Sequence, residues 1–302
     1  MAIISGAIWR AQEKRRKTMS GAVRQTAPGK FIKLRHGQTH YRLDGDPRHP
    51  LLVCIHGWST ASYVWEPLRE PLRDKKYRLL TYDLYGRGYS DRPDLPHSAE
   101  LFTTQLAELL SNLGLDRAAI NVLGYSMGGA IAARFVSQRL DQVEKLALIA
   151  PAGMAVQLPG LRAFAKRNPK LVDSHLLALL PVVLRRQFKA EAGRARRNQD
   201  VFDIIQNQLS ELDHKGYVPA LLSSLNGVLS AQMEREHCDI ARSSVAVRAV
   251  FADEDTTIPT PPAKQLFDTW NPNSVSRLIR GVGHSVTYTH PDEIMAEIDD
   301  FL

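Results

Sequence analysis

Short apolar runs alternate along this chain with longer stretches in which apolar residues recur every three or four positions. Residues 51–56 (LLVCIH), 77–84, 120–125 (INVLGY), 143–150 (VEKLALIA) and 245–252 (VAVRAVFA) have the length and composition of strands buried on both faces. Residues 276–279 form a weaker run of the same kind, and 30–37 with 40–44 read as an opening hairpin. Between them, residues 100–113 place Leu101, Leu106, Leu109, Leu110 and Leu113 on one helical face. Residues 129–138 read as a helix, and 291–302 as a closing amphipathic one. This alternation predicts an α/β fold, a mostly parallel central sheet flanked by helices.

The alternation breaks once. From about residue 155 to residue 242 the sequence reads as helix after helix, interrupted at Pro159, Pro169 and Pro181, with no strand run. A helical block between two sheet strands is an insertion over one edge of the sheet, and the expectation is a lid. The division expected is a basic tail over 1–30, a core made of 31–154 and 243–302, and a helical lid over 155–242. Inside the lid, residues 176–184 (LLALLPVVL) run directly into Arg185 and Arg186. A pair of helices packed on the body is the first reading of that stretch. A hydrophobic patch for substrate or membrane is the second.

Composition narrows the class. Of 302 residues, 44% are hydrophobic and 24% charged, which excludes a disordered or fibrous chain. Two cysteines, Cys54 and Cys238, make neither a disulfide framework nor a zinc site, and no metal or cofactor is expected. The net charge of +7 is unevenly spread. Residues 1–35 hold nine Lys/Arg against Glu13 alone, and residues 158–200 hold ten against Asp173, Glu191 and Asp200. The remainder is net −8. Two basic segments on an acidic body do not make a nucleic-acid binder. No apolar run reaches the roughly 18 residues of a membrane span. The stretch AIISGAIW precedes the cations of EKRRK, the reverse of a signal peptide, so a cytoplasmic protein with a frayed basic tail is expected. Weak contact of tail and lid with an anionic membrane surface is the sharper alternative.

The chemistry centres on Gly124-Tyr125-Ser126-Met127-Gly128. A strand precedes it and a helix follows, the context that makes this pattern a nucleophile elbow. Gly124 and Gly128 carry no side chain to clash with the neighbouring strand and helix, and the helix start favours negative charge on a reacting oxygen. A serine hydroxyl needs a base. Of ten histidines, His284 follows the last strand and precedes the closing helix, at the sheet edge where ligands bind. His56 and His290 also sit at element ends, and His36, His40, His49, His97, His175, His214 and His237 are expected to be surface or packing residues. An imidazole in this role needs a carboxylate, and Asp253, Glu254 and Asp255 all stand after the strand 245–252. An oxyanion hole needs two donors, for which the N–H groups of Met127 and of Trp58, in His56-Gly57-Trp58-Ser59, are the candidates. The Trp58 side chain serves equally well as pocket wall or as packing.

Together these motifs resemble the α/β-hydrolase superfamily, over residues 31–302. Residues 51–59 look like its His-Gly oxyanion strand, and 83–93 (DLYGRGYSDRP) like its D-x-x-G-x-G-x-S loop. Gly283-His284 with HPDEIMAEIDDFL resembles its terminal histidine and helix. The resemblance puts the acid ahead of a proline, and in FADEDTTIP that is Asp255, with Ala252 where glycine is common. It implies an α/β-hydrolase fold and, since Ser126 is not the aspartate of dehalogenases and epoxide hydrolases, hydrolysis of small carboxylic esters through an acyl-enzyme. A lipase acting at a lipid surface, a cofactor-free perhydrolase and a ligand receptor on the same fold are the alternatives.

Overall fold

The computed structural model describes residues 2–154, 169–195 and 198–302. Eight strands form a single sheet: β1 Lys30–Leu34, β2 Gly37–Asp44, β3 Leu51–Ile55, β4 Arg78–Tyr82, β5 Ile120–Tyr125, β6 Val143–Ile149, β7 Ala246–Ala252 and β8 Val275–Ile279. Their order is β1-β2-β4-β3-β5-β6-β7-β8. The hairpin β1–β2 and the pair β2–β4 are antiparallel, and every later pair is parallel. The pleat sends alternate side chains to opposite faces. In β3, Leu51, Val53 and Ile55 join one core while Leu52 and Cys54 join the other, and β7 divides Val247, Ala249 and Phe251 from Val250 and Ala252 in the same way. Both faces are covered, which is why these runs read as continuously apolar.

The helices, in chain order, are α1 Ala2–Arg15, α2 Gly21–Arg24, α3 Glu66–Asp74, α4 Ala99–Asn112, α5 Met127–Ser137, α6 Pro169–Ala195, α7 Gln199–Glu211, α8 Tyr217–Asn226, α9 Glu234–Ala241, α10 Thr260–Trp270, α11 Val286–Thr289 and α12 Pro291–Ile298. Helix α4 starts where the Ser98 side chain accepts the Leu101 N–H, and buries Leu101, Leu106, Leu109 and Leu110. Helices α6 to α9 lie between β6 and β7, and the described part of the insertion contains no strand. Residues 155–168, with Pro159, lie outside the described residues, as do 196 and 197.

Two expectations change. Pro169 is the first described residue of α6. Pro181 does not end the helix, so 176–184 belongs to one helix and not to a pair. Its inner face seats Leu184, Phe188 and Ala192 in the core. The frayed tail is also corrected: residues 2–15 are helical and α1 packs on α6. Beyond it, Arg16 Nε donates to the Leu212 carbonyl at 3.0 Å, and Lys17 N–H to that of Asp213 at 2.8 Å. Lys215 N–H donates back to Lys17 O at 2.9 Å, and Gly216 N–H to Glu13 Oε1 at 2.6 Å. These bonds pin the start of the chain to the turn between α7 and α8.

Candidate active site

Ser126 stands between β5 and α5 with φ 54° and ψ −120°, a backbone conformation that side-chain-bearing residues rarely adopt. The neighbours enforce it. Ser126 N–H donates to Ile149 O at 3.0 Å, while its carbonyl accepts the N–H groups of Gly129 (2.8 Å) and Ala152 (2.9 Å). The turn closes only because α5 comes against β3 at Gly128, where an added Cβ would lie 2.0 Å from the Ile55 carbonyl oxygen. The serine is buried, 5% exposed, at the C-terminal end of the parallel strands.

Ser126 Oγ lies 2.8 Å from His284 Nε2, and His284 Nδ1 lies 2.6 Å from Asp255 Oδ2. A carboxylate only accepts, so the imidazole donates through Nδ1 and leaves Nε2 to receive the serine hydroxyl. The other Asp255 oxygen accepts the N–H groups of Thr257 and Ile258, each at 2.8 Å, which fixes the carboxylate's orientation. Of the three consecutive acids, only Asp255 faces the imidazole. Asp253 Oδ1 accepts the Gly281 N–H at 2.7 Å, and Glu254 is exposed. Tyr125 Oη donates to the His284 carbonyl at 3.0 Å and holds its loop against the elbow.

The His56-Gly57-Trp58 loop passes directly beside the serine, since a Cβ on Gly57 would come within 3.3 Å of Ser126 Cβ. His56 sets its orientation. Its Nε2 accepts the Leu84 N–H at 2.9 Å, so Nδ1 carries the proton and donates to the Gly57 carbonyl at 2.9 Å. In a trans peptide the N–H points opposite to the C=O, so Trp58 N–H is turned away from His56. Burial pushes the His56 pKa down to about 4, which keeps the ring in this neutral form. Met127 is the first residue of α5, where backbone N–H groups have no carbonyl within the helix. The Trp58 indole donates to the Leu221 carbonyl in the insertion at 2.9 Å, so the side chain clasps α8.

The model of the "Alpha/beta hydrolase family" matches residues 52–297. The chain belongs to that family. Among curated proteins it is similar to a pimeloyl-[acyl-carrier protein] methyl ester esterase of Aliivibrio salmonicida, 25% identical over 83% of this chain and 91% of that one. It is also similar to a 2-hydroxymuconate semialdehyde hydrolase of a Pseudomonas strain, 24% identical over 83% of this chain and 86% of that one. Among solved structures, a thermophilic esterase from Thermogutta terrifontis superposes with a TM-score of 0.72 at 20% identity, over 90% of this chain and 98% of the other. The fold is that of an α/β hydrolase, and a hydrolytic activity follows from the family.

In this hydrolase the loop 83–93 ties the sheet to both the His56-Gly57-Trp58 loop and the insertion. Asp83, fully buried, accepts the Ser62 N–H and Tyr89 N–H at 2.9 Å each and His40 Nδ1–H at 2.8 Å. Burial opposes its charge, but the bond to His40, the charges of His40 and His56 and the Ser62 N–H together outweigh burial and hold the carboxyl at about 2. Arg87 is equally buried. Its Nε donates to the Trp58 carbonyl at 3.0 Å, one terminal nitrogen reaches His97 Nδ1 at 3.0 Å, and the other reaches Ser224 Oγ of α8 at 2.8 Å. Glu191 of α6 accepts from Ser285 Oγ (2.8 Å) and Tyr288 Oη (3.1 Å), next to His284. The 83–93 motif marks Asp83 and Arg87 in the sequence but not their contacts, and nothing marks Glu191, because each partner lies in a distant part of the chain. Of the remaining histidines, His40, His97 and His237 are buried hydrogen-bonded packing residues.

Proposed function

We propose that this hydrolase cleaves carboxylic esters through an acyl-enzyme, with Ser126 as nucleophile, His284 as general base and acid, and Asp255 orienting the imidazole. The observation that carries the reading is the continuous hydrogen-bonded line Ser126 Oγ, His284 Nε2, His284 Nδ1, Asp255 Oδ2, at 2.8 and 2.6 Å. Ser126 Oγ attacks the ester carbonyl as its proton passes to Nε2. The oxyanion is held by the N–H groups of Trp58 and Met127, each such donor supplying ~10²–10³ in rate. His284 returns the proton to the leaving alkoxide, releasing the alcohol and leaving an acyl group on Ser126. Water then gives its proton to Nε2 as it attacks, and the acid leaves as Oγ recovers the proton.

The insertion acts as a lid in this reading. Trp58, Arg87 and the Ser285 loop all bond to it, so substrate reaches Ser126 through or beneath α6 and α8. The test is hydrolysis of p-nitrophenyl esters from acetyl to dodecanoyl, with the Ser126→Ala protein as blank. Serine-dependent turnover is expected, strongest for short acyl chains that fit under a closed insertion. Turnover peaking at long chains would replace this reading with a lipase, and none above the blank with a perhydrolase or a receptor.

A further inference from the structure

Helix α6 presents an outward face with a sharp division along its length. Residues 176, 179, 182, 183, 186, 187, 189, 190, 193 and 194 are exposed, in the three- and four-residue steps of one helical side. The first half of that side is apolar: Leu176 is 37% exposed, Leu179 58%, Val182 60% and Val183 58%. Its second half carries Arg186, Lys189 and Arg194. The span from Leu176 to Arg194 is about 27 Å at 1.5 Å per residue. Four large aliphatic side chains in one exposed row are not accounted for by the core, because Leu177, Leu180, Leu184 and Phe188 already supply the inward side.

The neighbouring helix extends the same chemistry. Helix α1 packs on α6, and among its residues 6–15 the exposed ones are Ala7, Ile8, Arg10, Ala11, Lys14 and Arg15. The acids with described side chains on these two helices, and Asp213 beside them, are engaged elsewhere. Glu13 pairs with Arg16 and accepts the Gly216 N–H, Glu191 faces Ser285 and Tyr288, and Asp213 pairs with Arg185. What remains outward is a strip of aliphatic side chains bordered by cations. Aliphatic insertion with Lys/Arg at the headgroup level is the composition of a helix lying in a lipid interface. A nucleic acid would use the cations and leave the aliphatic row uncovered.

We propose that the outer face of α6, with α1 beside it, docks on an anionic phospholipid bilayer surface. Leu176, Leu179, Val182 and Val183 enter the acyl boundary, and Arg186, Lys189 and Arg194 meet the headgroup phosphates. The docking is peripheral, since no described helix is long and apolar enough to cross a membrane. It does not depend on the ester-hydrolase reading, because the face lies on the side of α6 away from Glu191.

Sedimentation of the full chain with vesicles tests this. Phosphatidylcholine vesicles with and without phosphatidylglycerol are compared, at low salt and at about 1 M salt, where the screening length falls to roughly 3 Å. Binding is expected only to the anionic vesicles at low salt. Arg186→Gln with Lys189→Gln should lower the partition coefficient roughly thirtyfold, at about fivefold per cation. Leu179→Asp with Val183→Asp should abolish it, with thermal melting and p-nitrophenyl acetate turnover as in the parent. Equal binding to neutral vesicles, or binding unmoved by either pair of substitutions, would overturn the proposal. So would a lipid-free dimer in sedimentation velocity that Leu179→Asp with Val183→Asp dissolves, because the face would then belong to a second copy.

Discussion

Asp255 and Asp253 sit two residues apart after the same strand, yet only the first reaches the imidazole. The strand end sends Asp253 Oδ1 to the Gly281 N–H and turns Asp255 under His284. Asp255→Ala should therefore lower kcat by ~10⁴, as loss of a tautomer-setting carboxylate does, and Asp253→Ala far less. Steady-state rates of the two variants check this, and the reverse order would remove Asp255 from the site. His56 acts at one remove from the reacting atoms, through the Gly57 carbonyl it holds. His56→Gln frees that peptide to rotate, so kcat should fall about 10²-fold with KM little changed. An unchanged kcat would mean that Trp58 N–H is held without His56. Ser126 and His284 were legible because each stands at a strand end in an unmistakable local context. The acid was legible only through the family resemblance, which singles out Asp255, because on residue type alone three adjacent carboxylates are equivalent until the backbone chooses their directions.

Elements were legible where burial is two-sided. Strands β3 and β5 announce themselves because both their faces meet apolar layers, and residues 99–112 because Ser98 and the leucine spacing agree. Helices α3 and α10 lacked such a signal, α3 carrying Pro67 and Pro71 and α10 Pro261 and Pro262. Pro181 misled. Inside α6 it removes one backbone bond but is itself buried against the body, and packing of Leu184 and Phe188 outweighs that loss. Helix α1 was invisible because its partners lie some two hundred residues further on. The contact of α5 with β3 carries the clearest prediction at this scale. Gly128→Ala places a methyl group against the Ile55 and His56 carbonyl oxygens, so the helix start must retreat. A stability loss of about 3 kcal/mol is expected by urea denaturation, with turnover reduced beyond what the lost stability explains. A variant as stable and active as the parent would show that the elbow has slack that the contact denies.

Over the whole molecule, burial of neutral imidazoles sets how stability responds to acid. Burial pushes His56 and His237 down to about 4, and burial with the Arg87 charge pushes His97 to about 3. Once unfolded, all three take up protons near 6.5. Each therefore contributes stability that is present above pH 6.5 and lost as pH falls towards its folded value. Glu211 has the opposite sign. Burial raises it to about 7, so it favours the folded state as pH falls through that value and offsets one histidine. For His40, burial opposes the charge but Asp83 outweighs it, and the resulting raised pKa gives stability that is lost only as pH rises. Near pH 5.5 the net of about two protons corresponds to a loss of roughly 3 kcal/mol per pH unit of acidification. Urea midpoints should fall steeply between pH 6.5 and 4.5, and His237→Gln should flatten the slope. A midpoint constant across that window would contradict the burial assignments.

The central claim is that Ser126 becomes acylated with His284 as its base. Intact-protein mass spectrometry after rapid acid quench of a p-nitrophenyl acetate reaction, followed by peptide mapping, tests it most directly. The account predicts one added acetyl group on the peptide containing Ser126, its absence from Ser126→Ala protein, and turnover lower by ~10⁶ in that variant. An acetyl group on another residue, or turnover that persists in Ser126→Ala, would contradict it.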